Sequence, residues 1–403
     1  MKTKYSIITG VILFVSIGLF SSCEKLKKTK EDGSENLKSK VVKNFASIVE
    51  SNYSDALNDA LDLEIAINEF IISPSETSHE AVKNAWIYSR ESYGQTETFR
   101  FMNGPIDDEN GPEGNLNAWP LDEGYIDYVY DGITHTIVNN GLIADLNWDI
   151  TASNLRNSNE SGGETNISIG YHAIEFLLWG QDLNYNMTTH TTDYSQAGNR
   201  SYTDFVDDPL AERRKTYLKI AMEILIEDLS YLVDAWKDGG WGRTALLGKD
   251  TDQAITEIMT GLAMLSKGEL AGERMFVALD NQDQEDEHSC FSDNTHRDIY
   301  NNALGIKNVY FGNYKLVNGA SIKDLIHDLD EETEESLSAH FNTTWETIEG
   351  VDQAAPFDGQ LVQESVTGTG PIMTAVLNLQ LQGDLIVEAA NKLGLTVSAD
   401  LFE

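Results

Sequence analysis

The sequence predicts an all-α protein, and three observations support this fold class. Apolar residues recur at steps of three and four over long stretches, which is the spacing of one helical face. The chain has only 7 prolines among 403 residues, so helices are rarely interrupted. No convincing series of alternating apolar and polar residues indicates strands. The foldable part, about 360 residues, exceeds what one core usually organises, so two domains or a duplicated fold are expected.

The first 22 residues have the pattern of a secretory leader. A basic head at residues 2–4, an apolar stretch at 5–20 and two serines precede Cys23. This order predicts a bacterial lipoprotein signal peptide at 1–22, with lipid on Cys23 and the mature chain beginning there. An ordinary leader or a short membrane anchor is the alternative, although a spanning helix needs about 20 apolar residues. We therefore expect a lipid-anchored protein of the bacterial envelope, facing the periplasm or the cell surface.

Three further segments follow along the chain. Residues 23–40 are polar, charged and free of aromatic residues, so they are predicted to form a flexible tether. The body at 41–403 is expected to divide into an N-terminal half at 41–240 and a C-terminal half at 241–403. A faint similarity between residues 94–101 and 271–278 is compatible with duplication and equally with chance.

Composition restricts the partners. The chain carries 28 Lys+Arg against 66 Asp+Glu, a formal net charge of −38. Such a surface repels nucleic acid and attracts cations, although solubility alone accounts for most of these carboxylates. Of the two cysteines, Cys23 is assigned to lipid, so Cys290 has no partner for an internal disulfide and is expected to be a small buried apolar residue.

Periodicity locates the helices. Residues 41–72 show the most regular apolar stripe, and Ser78 can cap a second helix that runs to about residue 101, before a loop at 103–117. Another loop is expected at 181–203, and Asp293 or Asn294 can cap a helix from about residue 295. Further helices are predicted near 122–140, 166–180, 206–237, 250–279, 320–332, 335–349 and 370–394.

The segment Gly170-Tyr171-His172-Ala173-Ile174-Glu175 is the sharpest candidate for chemistry. His172 and Glu175 are three residues apart and share a helical face. An imidazole nitrogen and a carboxylate oxygen side by side can chelate a divalent metal ion. A simple His–Glu hydrogen bond on a helix surface is the alternative. The apolar flanks predict a buried helix, where a polar pair requires a partner or a ligand.

Two other segments combine charged side chains. Arg90, Glu97 and Arg100 recur at helical spacing among aromatic residues, which favours either an internal ion-pair network or a ligand pocket. Residues 280–296 combine carboxylates, two histidines and a cysteine, but they lack the glycine and the spacing of an EF-hand. The second half of that segment, residues 289–296, is a compact polar turn around Phe291.

These segments together resemble the imelysin-like proteins, and among them the branch of iron-regulated protein A. The similarity rests on GxHxxE at 170–175, TETFRF-x-x-GPID at 96–107, NAWPLDE at 117–123 and EDEHSCFSDNTHRDI at 285–299. It extends from about residue 41 to the C-terminus. The resemblance implies an all-helical body of two helix-bundle halves, with the GxHxxE helix at a cleft between them.

The resemblance leaves activity open, since the family is named as a peptidase group while relatives are linked to iron uptake. The chain has neither HExxH nor HxxEH, the two-histidine motifs of zinc peptidases. We therefore expect a protein that binds a metal ion, with iron favoured over zinc, and delivers it to an envelope transporter or receptor. A metallopeptidase and a non-enzymatic module for an organic ligand or polypeptide are the alternatives.

The expected ligands are four side chains, three from the N-terminal half and Glu273 from the C-terminal half. His172 and Glu175 would bind the metal, and Glu97 and Glu273 would complete its sphere. The residues expected to line the cleft and orient these ligands are Arg90, Arg100, Trp119, Ser292, Asp293, Asn294 and His296.

Overall fold

The computed structural model describes residues 9–131, 134, 136–138, 140–183, 185–186, 191–354 and 356–401; side chains are described from residue 36 onward, except those of 185, 186 and 366. The predicted all-α class is confirmed. The α-helices of this described part are α1 Thr9–Ile72, α2 Glu76–Thr96, α3 Glu113–Leu116, α4 Glu123–Ile126, α5 Gly141–Ala144, α6 Ala152–Ser158, α7 Tyr171–Trp179, α8 Ala211–Trp236, α9 Trp241–Gly248, α10 Thr251–Met264, α11 Val277–Asn281, α12 Thr295–Phe311, α13 Ile322–Leu329, α14 Glu331–Gln353, α15 Phe357–Thr367 and α16 Pro371–Lys392.

Shorter elements connect these helices. A π-helix, Leu265–Phe276, joins α10 to α11 without a break. Turns of 3₁₀-helix occupy Glu97–Phe99, Tyr202–Phe205 and Gln284–Asp286. In the ranges that the structure describes, two-residue strands form antiparallel pairs: β1 Val129–Tyr130 with β2 Ile137–Val138, β3 Tyr185–Asn186 with β4 Thr191–Thr192, and β5 Asn313–Tyr314 with β6 Val317–Asn318.

Two groups of long helices share one hydrophobic core. In the first group, α1 packs along both α2 and α8; in the second, α16 packs against α10, the π-helix and α14. Contacts of α2 with α12 and of α1 with α10 join the groups. The buried apolar side chains of both groups belong to a single contiguous cluster, so burial of these faces stabilises the groups together.

Capping explains where several helices begin. Ser75 and Ser78 form a capping box at the start of α2, and Ser321 and Asp324 form another at α13. Because each box satisfies backbone N–H groups that lack intrahelical acceptors, it fixes the first turn. The helix predicted from Ser78 therefore begins three residues earlier, and the next turn after α2 continues as 3₁₀-helix.

The helix predicted at 122–140 is wrong. Among the described residues of this range, only Glu123–Ile126 is helical, and the strands β1 and β2 follow. Aromatic and β-branched residues in β1 and β2 favour extended backbone over helix. Several helices were also missed, including α6, α9 and α15, because each is too short to show a full apolar stripe.

The N-terminal backbone is helical from Thr9, so residues 23–40 continue directly into the first bundle helix. Composition predicted a flexible tether for these residues, and that flexibility stays a prediction. Residues 1–8 and the side chain of Cys23 lie outside what is described. No helix in the described ranges combines the length and the apolar character required to cross a bilayer.

Candidate functional site

A glycine places the His172–Glu175 pair at the start of α7. Gly170 precedes the helix with φ of 91°, and a Cβ on it would lie 2.7 Å from the carbonyl oxygen of Leu116. Only glycine tolerates both the left-handed backbone and this close approach. All nine residues of α7 are buried, as its apolar flanks predicted, so the pair is enclosed by protein.

His172 and Glu175 face each other as their spacing predicted. His172 Nδ1 lies 2.9 Å from Glu175 Oε2. The other carboxylate oxygen, Oε1, accepts hydrogen bonds from the backbone N–H of Ser292 at 3.0 Å and from its hydroxyl at 2.6 Å. The loop before α12 thus fixes the carboxylate, and the carboxylate fixes the imidazole.

The remaining imidazole nitrogen has no such partner. His172 Nε2 is fully buried and makes no hydrogen bond with any residue in the described part of the chain. Its nearest aromatic neighbour is the ring of His288, whose centroid is 4.7 Å away at an interplanar angle of 75°. Buried polar atoms normally have a partner, so this nitrogen is a candidate for a bound ligand.

Burial controls the charge of the pair. Desolvation raises the pKa of Glu175 to about 8, although the hydrogen bonds from Ser292 oppose this shift. Desolvation, followed by the neighbouring groups His288 and Arg90, lowers the pKa of His172 well below its usual value. Without an added cation, the pair is therefore neutral at neutral pH.

A second network lies beside the His172 ring. His288 Nδ1 donates to Asp298 Oδ2 at 2.8 Å, and Asn117 Nδ2 lies 3.2 Å from His288 Nε2. Arg90 donates to Asp298 Oδ1 at 3.1 and 3.2 Å and to Asn117 Oδ1 at 2.7 Å. The charge of Arg90 and the hydrogen bonds of His288 and Ser289 outweigh desolvation and hold the pKa of Asp298 well below its usual range.

Glu97 belongs to a third group, which is balanced by arginines. Glu97 Oε2 accepts from Arg274 at 2.6 Å and from Arg100 at 3.2 Å, while Oε1 accepts from Asn117 at 3.3 Å. Desolvation is outweighed by the charges of Arg274 and Arg100, which lower the pKa of Glu97 to about 2. Glu269 completes the group by accepting from both arginines. The arginine–glutamate segment is thus an internal ion-pair network.

The four predicted ligands do not converge. Glu97 is neutralised by arginines without a metal, and Glu273 is exposed. Leu270, Arg274 and Met275 form the inner side of the π-helix, which leaves Glu273 on its outer side. No three of these four described side chains bring ligand atoms close enough together to hold one ion.

The other predicted residues divide between two environments. Ser292 contacts Glu175, and Trp119 packs edge-on against His288 at 5.7 Å. Arg100 binds Glu97, as described. Asp293, Asn294 and His296 surround the start of α12, where none of the three makes a hydrogen bond to His172 or Glu175. Asn294 is buried, whereas Asp293 and His296 are half-buried.

Several network residues were missed, among them Asn117, Arg274, His288 and Asp298. Three of them lie in segments that had been singled out, NAWPLDE and EDEHSCFSDNTHRDI. Arg274 lies five residues after Glu269 in a segment predicted to be one α-helix, where the π-helix alters which side chains face inward.

Cys290 is buried, as expected.

Comparisons with known proteins place this arrangement in a family. The imelysin family model matches residues 49–386. "Iron-regulated protein A" of Synechococcus elongatus is 28% identical over 276 residues, which are 66% of this chain and 62% of that protein. The chain thus matches less than two thirds of the length of that relative.

Two solved structures have the same fold. The putative iron-regulated protein A precursor from Parabacteroides distasonis superposes with a TM-score of 0.67 at 20% identity, covering 89% of this chain and 95% of that one. An imelysin-like protein from Psychrobacter arcticus has a TM-score of 0.63 at 13% identity, covering 90% and 98%. At these identities the similarity shows the fold.

Proposed function

This chain belongs to the imelysin family, and from that premise we propose that it is an envelope lipoprotein that binds a metal ion, iron, through His172. The protein binds this ion as part of iron acquisition and passes it to a transporter or receptor in the membrane. The name of the Synechococcus relative and that of the Parabacteroides precursor support an iron-related role. The observation that carries the metal site is the buried, unpaired Nε2 of His172.

The hydrogen bond between His172 and Glu175 supports this assignment. Histidines that bind metals usually donate their other ring N–H to a carboxylate, which fixes the tautomer and orients the ring. Glu175 has this position, with Nδ1 of His172 at 2.9 Å. We therefore assign Glu175 to orienting His172, in place of the direct ligation that its spacing suggested. The nearest second imidazole is His288, whose Nε2 contacts Asn117.

The pKa of Glu175 gives this proposal a distinctive consequence. A cation on Nε2 requires the proton on Nδ1 and adds positive charge near the carboxylate. Both effects favour ionised Glu175, whose pKa burial otherwise raises to about 8. Metal binding near pH 7 should therefore release a proton from the pair.

Calorimetric titration of the full chain with Fe²⁺ under anaerobic conditions, and with Zn²⁺, tests the site. His172→Ala should abolish binding, and Glu175→Gln should weaken it by about 10–100-fold. The exposed His327→Ala is the matched control and should bind as the wild type does. Titration in two buffers of different ionisation enthalpy measures the released proton. Equal affinity in wild type and His172→Ala would contradict the proposal.

The same titrations separate the rival functions. A metallopeptidase would cleave a peptide library in a metal-dependent manner that His172→Ala abolishes, whereas the proposed role in iron acquisition predicts no cleavage at any metal concentration. For the anchor, Cys23→Ser should move the protein from the membrane fraction to the soluble fraction. A Cys23→Ser variant that stays with the membrane would contradict the lipid anchor.

A further inference from the structure

Three aspartates from distant parts of the sequence meet in the folded chain. Asp182 follows α7, Asp293 precedes α12, and Asp358 lies in the first turn of α15. One carboxylate oxygen from each lies within 4.8 Å of the others. Two ligands on opposite sides of one Ca²⁺ ion, each about 2.4 Å from it, would be about 4.8 Å apart. The spacing of these oxygens therefore fits a single cation.

Asp358 is the most informative member. Its relative exposure is 2%, and neither carboxylate oxygen accepts a hydrogen bond from an N–H or hydroxyl group of the described residues. It also makes no ion pair with any lysine or arginine in the described ranges, and the same holds for Asp293. A buried carboxylate without donors is costly, so its position among other carboxylates requires a compensating partner.

Glu287 adds a fourth carboxylate. It is fully buried, with 0% exposure. Burial, a hydrogen bond with the carboxyl group of Asp358 and the charges of Asp358 and Asp293 raise its pKa well above its usual value. Burial and Asp358 likewise raise the pKa of Asp293 to about 7. We call Asp182, Glu287, Asp293 and Asp358 the carboxylate cluster.

Buried carboxylates at this spacing must either take up protons or bind a cation. We propose that the carboxylate cluster is a second metal site, selective for a hard divalent cation of the Ca²⁺ class. Its ligands are all oxygens, which Ca²⁺ and Mg²⁺ prefer over the nitrogen and sulfur donors of softer metals. Converging side chains from three separate segments favour Ca²⁺, since Mg²⁺ keeps several waters and a strict octahedron.

A cavity adjoins the cluster at Asp358. The cavity has a volume of about 440 Å³ and is bordered by Asp358 together with the polar and acidic side chains Asp283, Gln284 and Glu285. Negative charge around this cavity attracts cations toward the buried oxygens. The side-chain amide of Gln284 also donates to the backbone carbonyl of Asp182 at 3.0 Å, which fixes one side of the cluster before an ion arrives.

The cluster is separate from the His172 pair but adjoins it in the chain. Ser292 holds Glu175, and the next residue, Asp293, belongs to the cluster. A cation bound by Asp293 would therefore restrain the loop that orients His172. The cluster itself does not depend on His172, so its test can succeed or fail independently of the proposed iron site.

Calorimetric titration of the EDTA-stripped full chain with CaCl₂, and separately with MgCl₂, tests the proposal. Ca²⁺ should bind to one site per chain and raise the thermal midpoint, more strongly than Mg²⁺ does. Asp358→Asn should weaken Ca²⁺ binding at least tenfold. Two controls, the exposed Asp238→Asn and His172→Ala, should bind Ca²⁺ as the wild type does.

Thermal unfolding distinguishes lost ligation from misfolding. Since Asp358→Asn removes repulsion among buried carboxylates, its midpoint in EDTA should equal or exceed that of the wild type, while its Ca²⁺-dependent rise should disappear. Glu287→Gln provides a second variant with the same expected behaviour. Absence of Ca²⁺ binding at millimolar concentration in the wild type would overturn the proposal. Binding that is unchanged in both variants would also overturn it.

Discussion

Two sets of buried carboxylates lie near residues 287–298, and their surroundings differ in one respect. Asp298 and Glu97 face arginines, and their pKa values are lowered. Glu287 and Asp293 face other carboxylates, and their pKa values are raised. Because each set includes a fully buried carboxylate, burial alone does not determine the charge of an acidic side chain. The neighbouring charges also contribute, and they differ in sign between the two sets.

The largest expected effect comes from breaking the balanced set. Arg90→Met removes the two hydrogen bonds to Asp298 and the one to Asn117 and leaves a buried charge without its main partner. The free energy of unfolding, measured with urea at pH 7, should fall by about 3–5 kcal/mol. Lys219→Met, which removes an exposed ion pair with Glu223, should cost at most about 1 kcal/mol. Equal small losses in both variants would argue against a balanced buried network.

The pH dependence of stability should have opposite signs in the two regions. The pKa of Glu97 is about 2 in the folded chain, below its usual value of 4.5, so its contribution is present above about pH 4.5 and lost as the pH falls toward 2. Next to the carboxylate cluster, Glu285 borders the same cavity as Asp358, and Glu123 is its acidic neighbour. Burial and the charge of Glu285 raise the pKa of Glu123 to about 8, and burial and the charges of Asp283 and Asp358 raise the pKa of Glu285. The contribution of this pair is present below about pH 4.5 and is lost as the pH rises.

Urea unfolding from pH 3 to 9 in EDTA measures how the free energy of unfolding changes on the acid side and on the alkaline side. Glu123→Gln should flatten the decline of stability above about pH 4.5 and leave the loss of stability at acid pH unchanged. Glu164→Gln, at an exposed position, should leave the pH dependence unchanged on both sides. A Glu123→Gln variant whose stability declines as steeply as that of the wild type would show that this pair does not hold excess protons in the folded state.

The smallest effect concerns the residue that adjoins both regions. Ser292→Ala removes the 2.6 Å hydrogen bond to Glu175 and keeps the backbone N–H at 3.0 Å. The loss should be about 1–3 kcal/mol in urea unfolding, with weaker metal binding at His172 because its orienting carboxylate is less restrained. Ser365→Ala, whose hydroxyl bonds only a local carbonyl, should be within about 0.5 kcal/mol of the wild type. Weaker metal binding in Ser365→Ala as well would remove the argument for orientation.

Local patterns predicted much of the fold and one contact of the site. The apolar stripe at 41–72 lies within α1, and the three-residue spacing of His172 and Glu175 brings their side chains together. Both results depend on interactions within one or two helical turns, which the sequence displays directly. The helix at 122–140 failed because its residues pair as strands across a turn.

The arrangement of charges could not be predicted in the same way. Glu273 was expected to be a metal ligand in the cleft, but the π-helix places Arg274 on its inner side. No residue pattern in that segment indicated the change from α-helical to π-helical period. Asp182 and Asp358 come together across 176 positions of sequence. Such convergence depends on how the long helices pack, so individual acidic residues gave no signal that separated them from solvated surface carboxylates.

One pair of substitutions tests the central contrast most directly. Asp298 and Asp358 have relative exposures of 1% and 2%, so Asp→Asn at each makes the same chemical change at nearly the same burial. In urea unfolding at pH 7 with EDTA, Asp298→Asn should lose about 3–5 kcal/mol, while Asp358→Asn should be at least as stable as the wild type. Equal destabilisation by both substitutions would contradict the account, because it would mean that Asp358 is already compensated without a cation.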